Sequence, residues 1–173
     1  EAAMYGPKID FLAKDSLGLT FQIATIQLDF NQPANFGLSC TNEKGEKEQI
    51  VMIHCAIMGS IERFMAALIE HTAGNLPLWL SPVQVAILPI GEAHYAFARG
   101  VNATLCEAGI RAELALENES LGKKIRNVKM RKIPYAVVIG DAEIAVKEVT
   151  LESRDKGKLG QYNPEKLLQF LQS

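Results

Sequence analysis

Residues 53–64 read IHCAIMGSIERF, and this stretch decides the fold of the first half of the chain. The apolar residues before it are typical of a strand. Gly59 and Ser60 mark a helix start, and the apolar residues beyond recur with helical spacing. We therefore predict a strand, a tight turn and an amphipathic helix, with His54 at the strand end and Arg63 in the first helical turn. The helix-spaced residues are Ile61, Phe64, Met65, Leu68 and Ile69.

His54 and Arg63 are candidates for a ligand site. An imidazole is neutral near physiological pH and can bind a metal or act as a general base, although a hydrogen-bonded core histidine is the commoner case. Arg63 offers a planar cation for phosphate or for stacking on a base, and its structural alternative is an ion pair with a nearby acid. Cys55 follows His54 directly, but adjacent strand residues point to opposite faces, so this spacing does not complete a metal site.

The composition is that of an ordinary globular protein. The chain has 173 residues, of which 48% are hydrophobic and 22% charged, enough for one domain or two small ones. Its net charge of −2 gives no overall attraction to nucleic acid. The sequence has no apolar run of membrane-spanning length and no signal peptide pattern, so no membrane association is expected. Three widely spaced cysteines favour reduced thiols and a cytoplasmic location.

The first half of the chain is predicted to be an antiparallel sheet with one helix, an α+β arrangement. Alternation along Thr20–Phe30 places Thr25, Gln27 and Asp29 on one face and apolar residues on the other. Residues Asn31–Asn35 are predicted to form a turn. The predicted elements are strands Tyr5–Leu12, Thr20–Phe30, Phe36–Thr41 and Gln49–His54, and a helix from about Ser60 to Thr72.

In the second half strand and helix alternate, which predicts an α/β domain with a mostly parallel sheet. The run Leu76–Pro82 contains two prolines and the tryptophan and is predicted to be a structured linker, so we place the domains at residues 1–81 and 82–173. The predicted strands are Val83–Ile90, Arg111–Leu116, Tyr135–Gly140 and one near Ala145–Leu151. The predicted helices are Ala93–Ala108, Leu121–Met130 and one from Pro164.

Other polar residues have both a structural and a functional interpretation. The face with Thr25, Gln27 and Asp29 is typical of a solvated sheet surface, but Gln22 and Gln27 could instead orient a small polar ligand by hydrogen bonds. His71 and His94 are predicted to be surface helix residues. A basic cluster lies on and just after the predicted helix Leu121–Met130 and is either a solvated helix face or an RNA or phosphate surface. It comprises Lys123, Lys124, Arg126, Lys129, Arg131 and Lys132.

Several segments together resemble threonyl-tRNA synthetase, a class II enzyme. In the first half these are YGPKIDF at residues 5–11, QxxxxQLDF at 22–30 and VMIHCAIMGSIERF at 51–64, the last of which resembles motif 3. In the second half, PLWLSPVQVAILPI at 77–90, AGIRAEL at 108–114 and IPYAVVIGDAE at 133–143 resemble the anticodon-binding domain. The resemblance implies an antiparallel class II synthetase sheet fragment with the motif 3 helix, followed by an α/β anticodon-binding domain.

The resemblance also implies roles for particular residues. The family holds a Zn²⁺ with one cysteine and two histidines to recognise threonine, and His54 matches one of those histidines. Such recognition makes physical sense, because a pocket that engages the hydroxyl can reject valine. Arg63 matches the motif 3 arginine beside the adenine and phosphates of ATP, which binds with Mg²⁺, and Arg63 and Lys8 are the expected catalytic residues. Positions matching the threonine and adenylate pocket are Tyr5, Lys8, Gln22, Gln27 and Ser60. Asn118 and Glu143 match positions that read the anticodon, and Arg126 and Lys132 are expected to supply backbone or base contacts to the RNA at the same anticodon-binding site.

The chain departs from the family pattern at four points. Motifs 1 and 2 and the other two zinc ligands are absent, so we expect a C-terminal portion of a longer or complemented protein. Cys55 replaces an arginine that is not the motif 3 arginine. Glu152 stands where an anticodon-reading arginine is usual and cannot donate the same hydrogen bonds. Lys132 replaces an arginine, which keeps the charge but loses bidentate geometry.

Two functions are therefore predicted. In the first, the chain is part of a threonine–tRNA ligase, an aminoacyl-tRNA synthetase that joins threonine to tRNA(Thr) with ATP. The complete enzyme is expected to be a homodimer, and this chain is expected to be inactive alone. The alternative is a non-catalytic, synthetase-derived RNA-binding or regulatory protein, which Glu152 and the missing motifs favour. A further possibility is that only Val83–Ser173 folds stably, with proteolytic cleavage near Pro77–Pro82.

Overall fold

A computed structural model describes residues 2–15 and 17–172. The chain divides into two compact units, Glu1–His71 (the first unit) and Thr72–Ser173 (the second unit). The predicted linker belongs to the second unit, where the Ser81 hydroxyl donates to the carbonyl of Pro77 at 3.0 Å and Arg111 Nη2 donates to the carbonyl of Trp79 at 2.8 Å. The domain limits 1–81 and 82–173 stay a prediction.

The first unit contains a four-stranded antiparallel sheet and a separate two-stranded hairpin. The sheet has the order β1-β2-β3-β6, and β4 pairs with β5 in the hairpin. The elements are β1 (Ala2–Ala3), β2 (Gly6–Lys14), β3 (Thr20–Asp29), α1 (Asn31–Asn35), β4 (Ser39–Thr41), β5 (Lys47–Gln49), β6 (Met52–Ala56) and α2 (Ile61–Thr72). Helix α2 therefore begins one residue after the predicted start and ends where predicted.

Two local predictions in this unit are wrong. Residues Asn31–Asn35 form a short helix rather than a turn, because one carboxylate oxygen of Asp29 accepts the N–H groups of Asn31 and Gln32, each at 2.9 Å. The predicted strand Gln49–His54 is interrupted: Gln49 ends β5 and Met52 begins β6. The two pieces pair with different partners, β4 and β3, so one continuous strand cannot serve both sheets.

The turn before α2 is fixed against a bulge in β3. Phe11 pairs with Ala24 and Leu12 with Gln22, which leaves Ile23 out of register. The Ile23 carbonyl accepts the N–H of Met58 at 2.9 Å. Gly59 follows with φ +64°, and a Cβ there would lie 2.6 Å from the carbonyl oxygen of Gln22. Glycine is required because the backbone is left-handed and the space is already occupied.

The second unit is built on a five-stranded sheet with the order β11-β10-β9-β7-β8. Strands β8, β7 and β9 are parallel, and β10 and β11 extend the sheet antiparallel beyond β9. Short 3₁₀ turns at Leu78–Leu80 and Glu92–His94 precede β7 and α3. The elements are β7 (Val85–Pro89), α3 (Tyr95–Glu107), β8 (Ala112–Leu114), α4 (Leu121–Met130), β9 (Tyr135–Ile139), α5 (Asp141–Val146), β10 (Val149–Ser153), β11 (Gly157–Tyr162) and α6 (Pro164–Gln172). The predicted fold class is confirmed.

The end of the sheet differs from prediction. The strand predicted near Ala145–Leu151 begins as helix α5, and β10 starts only at Val149. Helix α5 forms because the Glu143 carboxylate accepts the N–H of Gly140 at its start, at 2.9 Å. Strand β11 was not predicted, because Gly157 and Gly160 weaken its strand pattern. Pairing with β10 supplies the hydrogen bonds that its local sequence does not specify.

Burial is concentrated in the second unit. Both faces of β7, β9 and β10 are covered, and Val85, Ile87 and Val137 are completely buried. Among the described residues of the first unit, only Asp29 and Pro33 are fully buried, and α2 leaves Ile61 64% exposed. The described residues include no helix long and apolar enough to cross a membrane.

The two remaining histidines have different surroundings. His71 is exposed, as predicted. The prediction for His94 is wrong: this residue is buried, and its Nδ1 accepts the N–H of Gly91 while Nε2 donates to Asp141 at 3.0 Å. It ties the end of β7 to the start of α5, a role that helical spacing alone does not reveal.

Candidate substrate and RNA sites

One face of the first sheet carries most of the residues predicted to line the threonine and adenylate pocket. In the strand register Gln27 lies between Lys8 on β2 and His54 on β6, so the three side chains share one face. The edge of the Tyr5 ring approaches His54, with 6.4 Å between ring centroids. Tyr5, Gln27 and His54 line one open cleft of about 510 Å³. The structure therefore brings these predicted residues together.

Asp10 is the centre of a hydrogen-bonded group on the same face. Its carboxylate accepts Thr25 Oγ1 at 2.6 Å and Gln22 Nε2 at 2.9 Å, and it pairs with Lys8 Nζ at 2.9 Å. The hydrogen bond from Thr25, followed by that from Lys8, holds the pKa of Asp10 below its ordinary value. Asp10 thus stays ionised and fixes Lys8 and Gln22.

His54 is oriented by a buried carboxylate. Its Nε2 lies 2.9 Å from Asp29 Oδ2, and the side chain of Asp29 is 2% exposed. Burial alone would raise the pKa of Asp29, but hydrogen bonds from Gln32, His54 and Asn31 outweigh it and lower the pKa. An ionised carboxylate only accepts, so His54 carries its proton on Nε2 and leaves Nδ1 as an acceptor. Metal-binding histidines commonly use this carboxylate–histidine arrangement.

Arg63 lies in a second cavity, of about 490 Å³, between the β2–β3 hairpin end and α2. The lining residues include Phe21, Gln22 and Phe64. An arginine guanidinium can stack on a planar ring system. Ser60 does not line this cavity; its hydroxyl caps α2 by accepting the N–H of Arg63 at 3.3 Å. Gln22 lines this cavity while hydrogen-bonding to Asp10 on the polar face.

The predicted anticodon contacts separate into two places in the second unit. Asn118 follows β8 and Glu143 follows β9, so both lie at the carboxyl edge of the parallel strands, where open α/β sheets bind ligands. Arg126 and Lys132 instead line a groove along α4. Because α4 runs back toward the start of β9, Lys132 is at the opposite end of the sheet from Asn118 and Glu143.

Helix α4 divides the basic cluster between three environments. On one flank Lys123 pairs with Glu119 at 2.7 Å, and Arg131 pairs with Glu113 through two hydrogen bonds. That pair lowers the pKa of Glu113 and raises the pKa of Arg131. Among the described residues, no acidic partner is found for the exposed cations of the other flank. These are Arg126, Lys129 and Lys132, and with Gly122, Ile125 and Met130 they line the groove of about 410 Å³.

Lys124 has a structural role. It is 3% exposed, and its ammonium donates to the carbonyls of Pro89 and Ala115, each at 3.0 Å. The bonds tie the carboxyl end of β7 to the loop after β8, which leads to Asn118. Lys124 therefore supports one half of the predicted anticodon site without reaching solvent.

Three further residues support the predicted site residues: Asp29, which the strand pattern places on the polar face without a role, and Asp10 and Thr150, which no sequence pattern singles out. Asp10 lies two residues after Lys8 on β2, and Asp29 lies two residues after Gln27 on β3. The two-residue period of a strand therefore places each aspartate on the same face as a predicted site residue. Thr150 donates to Glu143 Oε1 at 2.7 Å. Its partner lies in another element and at the end of a helix that was not predicted, so no sequence pattern pointed to this contact.

Comparisons with known proteins match both units of the chain. Residues 84–173 match the family described as anticodon binding domain, and residues 1–72 match the class II core domain of tRNA synthetases for G, H, P, S and T. The chain is 49% identical over 160 residues to a threonine–tRNA ligase of Chlorobium phaeobacteroides, covering 92% of this chain and 24% of the relative. It is 51% identical over 160 residues to that of Caldanaerobacter subterraneus subsp. tengcongensis, covering 92% and 25%.

A solved structure of the RNA binding domain of threonyl-tRNA synthetase from Cryptosporidium parvum Iowa II is also similar. It superposes with a TM-score of 0.88 at 37% identity, over 99% of this chain and 44% of that one. The chain therefore spans about a quarter of the length of the curated relatives it matches.

Proposed function

Because the chain belongs to the threonyl-tRNA synthetase family, we propose that it forms part of a threonine–tRNA ligase. In this proposal it supplies the motif 3 side of the threonine and ATP site together with the anticodon-binding domain. The observation that carries the proposal is the shared cleft of Tyr5, Gln27 and His54 on one face of the first sheet. The homodimer and the cytoplasmic location expected of the complete enzyme belong to the same proposal.

In the substrate site, the polar face of the first sheet would bind and orient threonine. Gln27 can both donate and accept hydrogen bonds, and Tyr5 closes one side of the cleft next to His54. Lys8, fixed by Asp10, would supply positive charge beside the reacting carboxylate and phosphate. The reaction needs positioning and charge neutralisation more than proton transfer, and these residues are suited to both tasks.

Among the described residues, we assign one zinc ligand, His54. The free Nδ1 of His54 and the Asp29 hydrogen bond on its Nε2 fit an imidazole prepared for metal. The described residues contain no group of three or more histidine, cysteine or acidic side chains able to hold an ion. The other ligands would therefore come from outside these residues. When bound, Zn²⁺ would engage the amino and hydroxyl groups of threonine, as the family resemblance implies.

For ATP, we propose that Arg63 packs on the adenine within the cavity lined by Phe21 and Phe64. Ser60 would act by fixing the first turn of α2, and so the direction of Arg63, through its hydrogen bond to the Arg63 N–H. Gln22 would link this cavity to the polar face through Asp10. Mg²⁺ would enter with the ATP phosphates, which offer the oxygen ligands that it prefers.

In the second unit, Asn118 and Glu143 would read anticodon bases, and Arg126 and Lys132 would contact the RNA backbone. An amide and a carboxylate suit the exposed pairing edges of splayed loop bases. Cations without acidic partners suit phosphates, because no ion pair within the protein has to break when a phosphate binds. Lys129 lies in the same groove and joins this set.

The proposal is tested by measuring binding and activation separately. We expect the chain to bind an anticodon stem-loop of tRNA(Thr) more tightly than one with changed anticodon bases, by at least about tenfold at fixed salt. We expect no threonine-dependent exchange of pyrophosphate into ATP by the chain alone. Equal binding of both RNAs would contradict the anticodon role, and pyrophosphate exchange would contradict the expected inactivity.

The non-catalytic RNA-binding alternative is favoured by one observation, the concentration of the buried core in the second unit. This alternative predicts the same RNA binding but no contribution of the first unit to threonine activation. Supplying in trans the segment of a related catalytic domain that carries motifs 1 and 2 distinguishes the two. Restored threonine activation that is lost in Arg63→Ala supports the ligase, and no activation with the complement supports the alternative.

A further inference from the structure

Glu143 is held by two donors from separate parts of the second unit. Its Oε2 accepts the N–H of Gly140 at 2.9 Å, and its Oε1 accepts the hydroxyl of Thr150 at 2.7 Å. Both oxygens are therefore used as acceptors, and a proton on either one would displace a bond. Hydrogen bonding to the charged form favours that form.

Thr150 is a rigid support for this contact. It is 5% exposed and lies on β10, where it pairs with Val138 of β9 and with Gln161 of β11. A threonine hydroxyl has one proton, and here that proton goes to Glu143. The sheet thus fixes the position of the donor. Glu143 itself is on the six-residue helix α5, which follows the carboxyl end of β9.

We propose that Thr150 is a positioning residue for anticodon recognition, which aims the Glu143 carboxylate at the RNA and keeps it an acceptor. The inference rests on the proposed function, because it gives a role to the base-reading residue of the same site. A carboxylate has about four lone-pair positions, of which two remain after the bonds to Gly140 and Thr150. Those two fit a base edge that offers N–H donors, such as the imino group of uracil or guanine.

The hydrogen-bond donors and the one cation near Glu143 favour its charged form, and burial opposes them. The hydrogen bond from Thr150 lowers the pKa of Glu143 most, and burial opposes it. The Gly140 N–H and the positive charge of Lys158 on β11 lower it further. Asp141, two residues before Glu143, is exposed and engaged by His94. The hydrogen bonds that the ionised Glu143 accepts therefore stabilise the fold at pH values above the ordinary glutamate pKa. This stabilisation is lost as the pH falls through the lowered pKa of Glu143.

The test compares Thr150→Val, which keeps the shape but removes the donor, with Thr150→Ser, which keeps the donor. We expect Thr150→Val to weaken binding of the tRNA(Thr) anticodon stem-loop about 5- to 20-fold at pH 7 and fixed salt. Thr150→Ser should bind within about twofold of the unchanged chain. Thr104→Val is the control, because its hydroxyl donates to a helix carbonyl on α3, away from the site.

The second readout is the titration of the Glu143 carboxyl carbon by NMR. In the unchanged chain its midpoint should lie below that of an ordinary glutamate, should rise in Thr150→Val and should return in Thr150→Ser. If Thr150→Val does not fold, the midpoint of Glu143 in the unchanged chain still tests the proposal. A midpoint at or above the ordinary value there overturns the proposal.

Other outcomes are equally decisive. If Thr150→Val weakens binding but the Glu143 midpoint does not move, the effect is general destabilisation and the proposal fails. If the unchanged chain discriminates anticodons and Thr150→Val binds equally well, this inference fails while the proposed function stands. If the unchanged chain discriminates no anticodon, the proposed function fails and the recognition role of Thr150 fails with it.

Discussion

At the scale of single residues, this chain uses buried or fixed hydrogen-bonding partners to orient the groups that would touch ligands. Asp29 orients His54, Asp10 fixes Lys8, and Thr150 fixes Glu143. In each case the supporting residue lies on a strand, and the pairing of that strand determines where the donor or acceptor stands. Substitutions at the supporting positions should therefore change the ligand-facing residue without removing it.

Asp29→Asn should reverse the tautomer of His54. Asparagine keeps one oxygen to cap α1 but turns an NH₂ group toward Nε2, which must then accept, so the proton moves to Nδ1. Correlation of the ring ¹⁵N and carbon-bound proton signals at a pH where the ring is neutral identifies the tautomer. Persistence of the Nε2–H form in the variant would contradict the arrangement described for Asp29 and His54.

Gly59→Ala should destabilise the first unit by roughly 2–5 kcal/mol, because the left-handed backbone and the collision with the Gln22 carbonyl add together. Gly37→Ala is a matched control, since Gly37 has φ +63° but no atom near the position of a Cβ. It should cost only about 1–2 kcal/mol. Hydrogen exchange of the β3 and β6 amides reports this unit specifically, and equal losses in both variants would show that the collision does not matter.

At the scale of elements, α4 shows how one helix can serve structure and binding on separate faces. Its inner face buries Lys124 and Val128, one flank is neutralised by Glu119 and Glu113, and the other presents the groove cations. A charge count of the helix cannot distinguish these faces. Removing a lysine is therefore expected to change the free energy of unfolding at the inner face and RNA binding at the groove.

Lys124→Met should lower the free energy of unfolding of the second unit by about 1–3 kcal/mol, because the carbonyls of Pro89 and Ala115 lose a buried charged donor. Lys123→Met is the control on the next residue, where an exposed pair with Glu119 contributes at most about 1 kcal/mol. Urea unfolding followed by circular dichroism measures both. A change for Lys124→Met no larger than that of its control would mean that the two carbonyls do not depend on the ammonium.

Lys129→Gln should weaken RNA binding by a similar factor for matching and changed anticodons, because a phosphate contact carries no sequence information. The slope of log Kd against log salt should decrease by about 0.7 to 0.9, the value for one lost contact. Lys123→Gln, on the flank already paired with Glu119, should leave the slope nearly unchanged. The groove is not the phosphate surface if both variants give the slope of the unchanged chain.

At the scale of the whole molecule, the two units differ in how completely they bury their apolar residues. The second unit contains the clusters of fully buried side chains, whereas the first exposes apolar residues such as Ile9 and Ile53 on its sheet. Burial of apolar area is the main source of stability, so the second unit should be the more stable of the two.

The three cysteines are free and exposed, one of them in the second unit.

Limited proteolysis should therefore leave a fragment that contains the second unit. The sequence predicts cleavage near Pro77–Pro82, but this run is held by the hydrogen bonds of Ser81 and Arg111. We expect the cleavage sites to lie before Thr72 instead, in the first unit. Mass spectrometry of the surviving fragment locates its start, and a fragment that begins within residues 77–82 would contradict the role given to Arg111.

The sequence by itself determined the family and the order of most strands and helices and predicted the ligand-facing residues, because these depend on local periodicity and on motifs contiguous in the chain. The stretch 53–64 gives strand, turn and helix with His54 and Arg63 in their places. Only the tertiary structure decided which side chains support them. The bonds from Asp29 to His54, from Thr150 to Glu143 and from Lys124 to Pro89 join residues on different elements. Strand register and helix placement set these distances, and no local pattern records them.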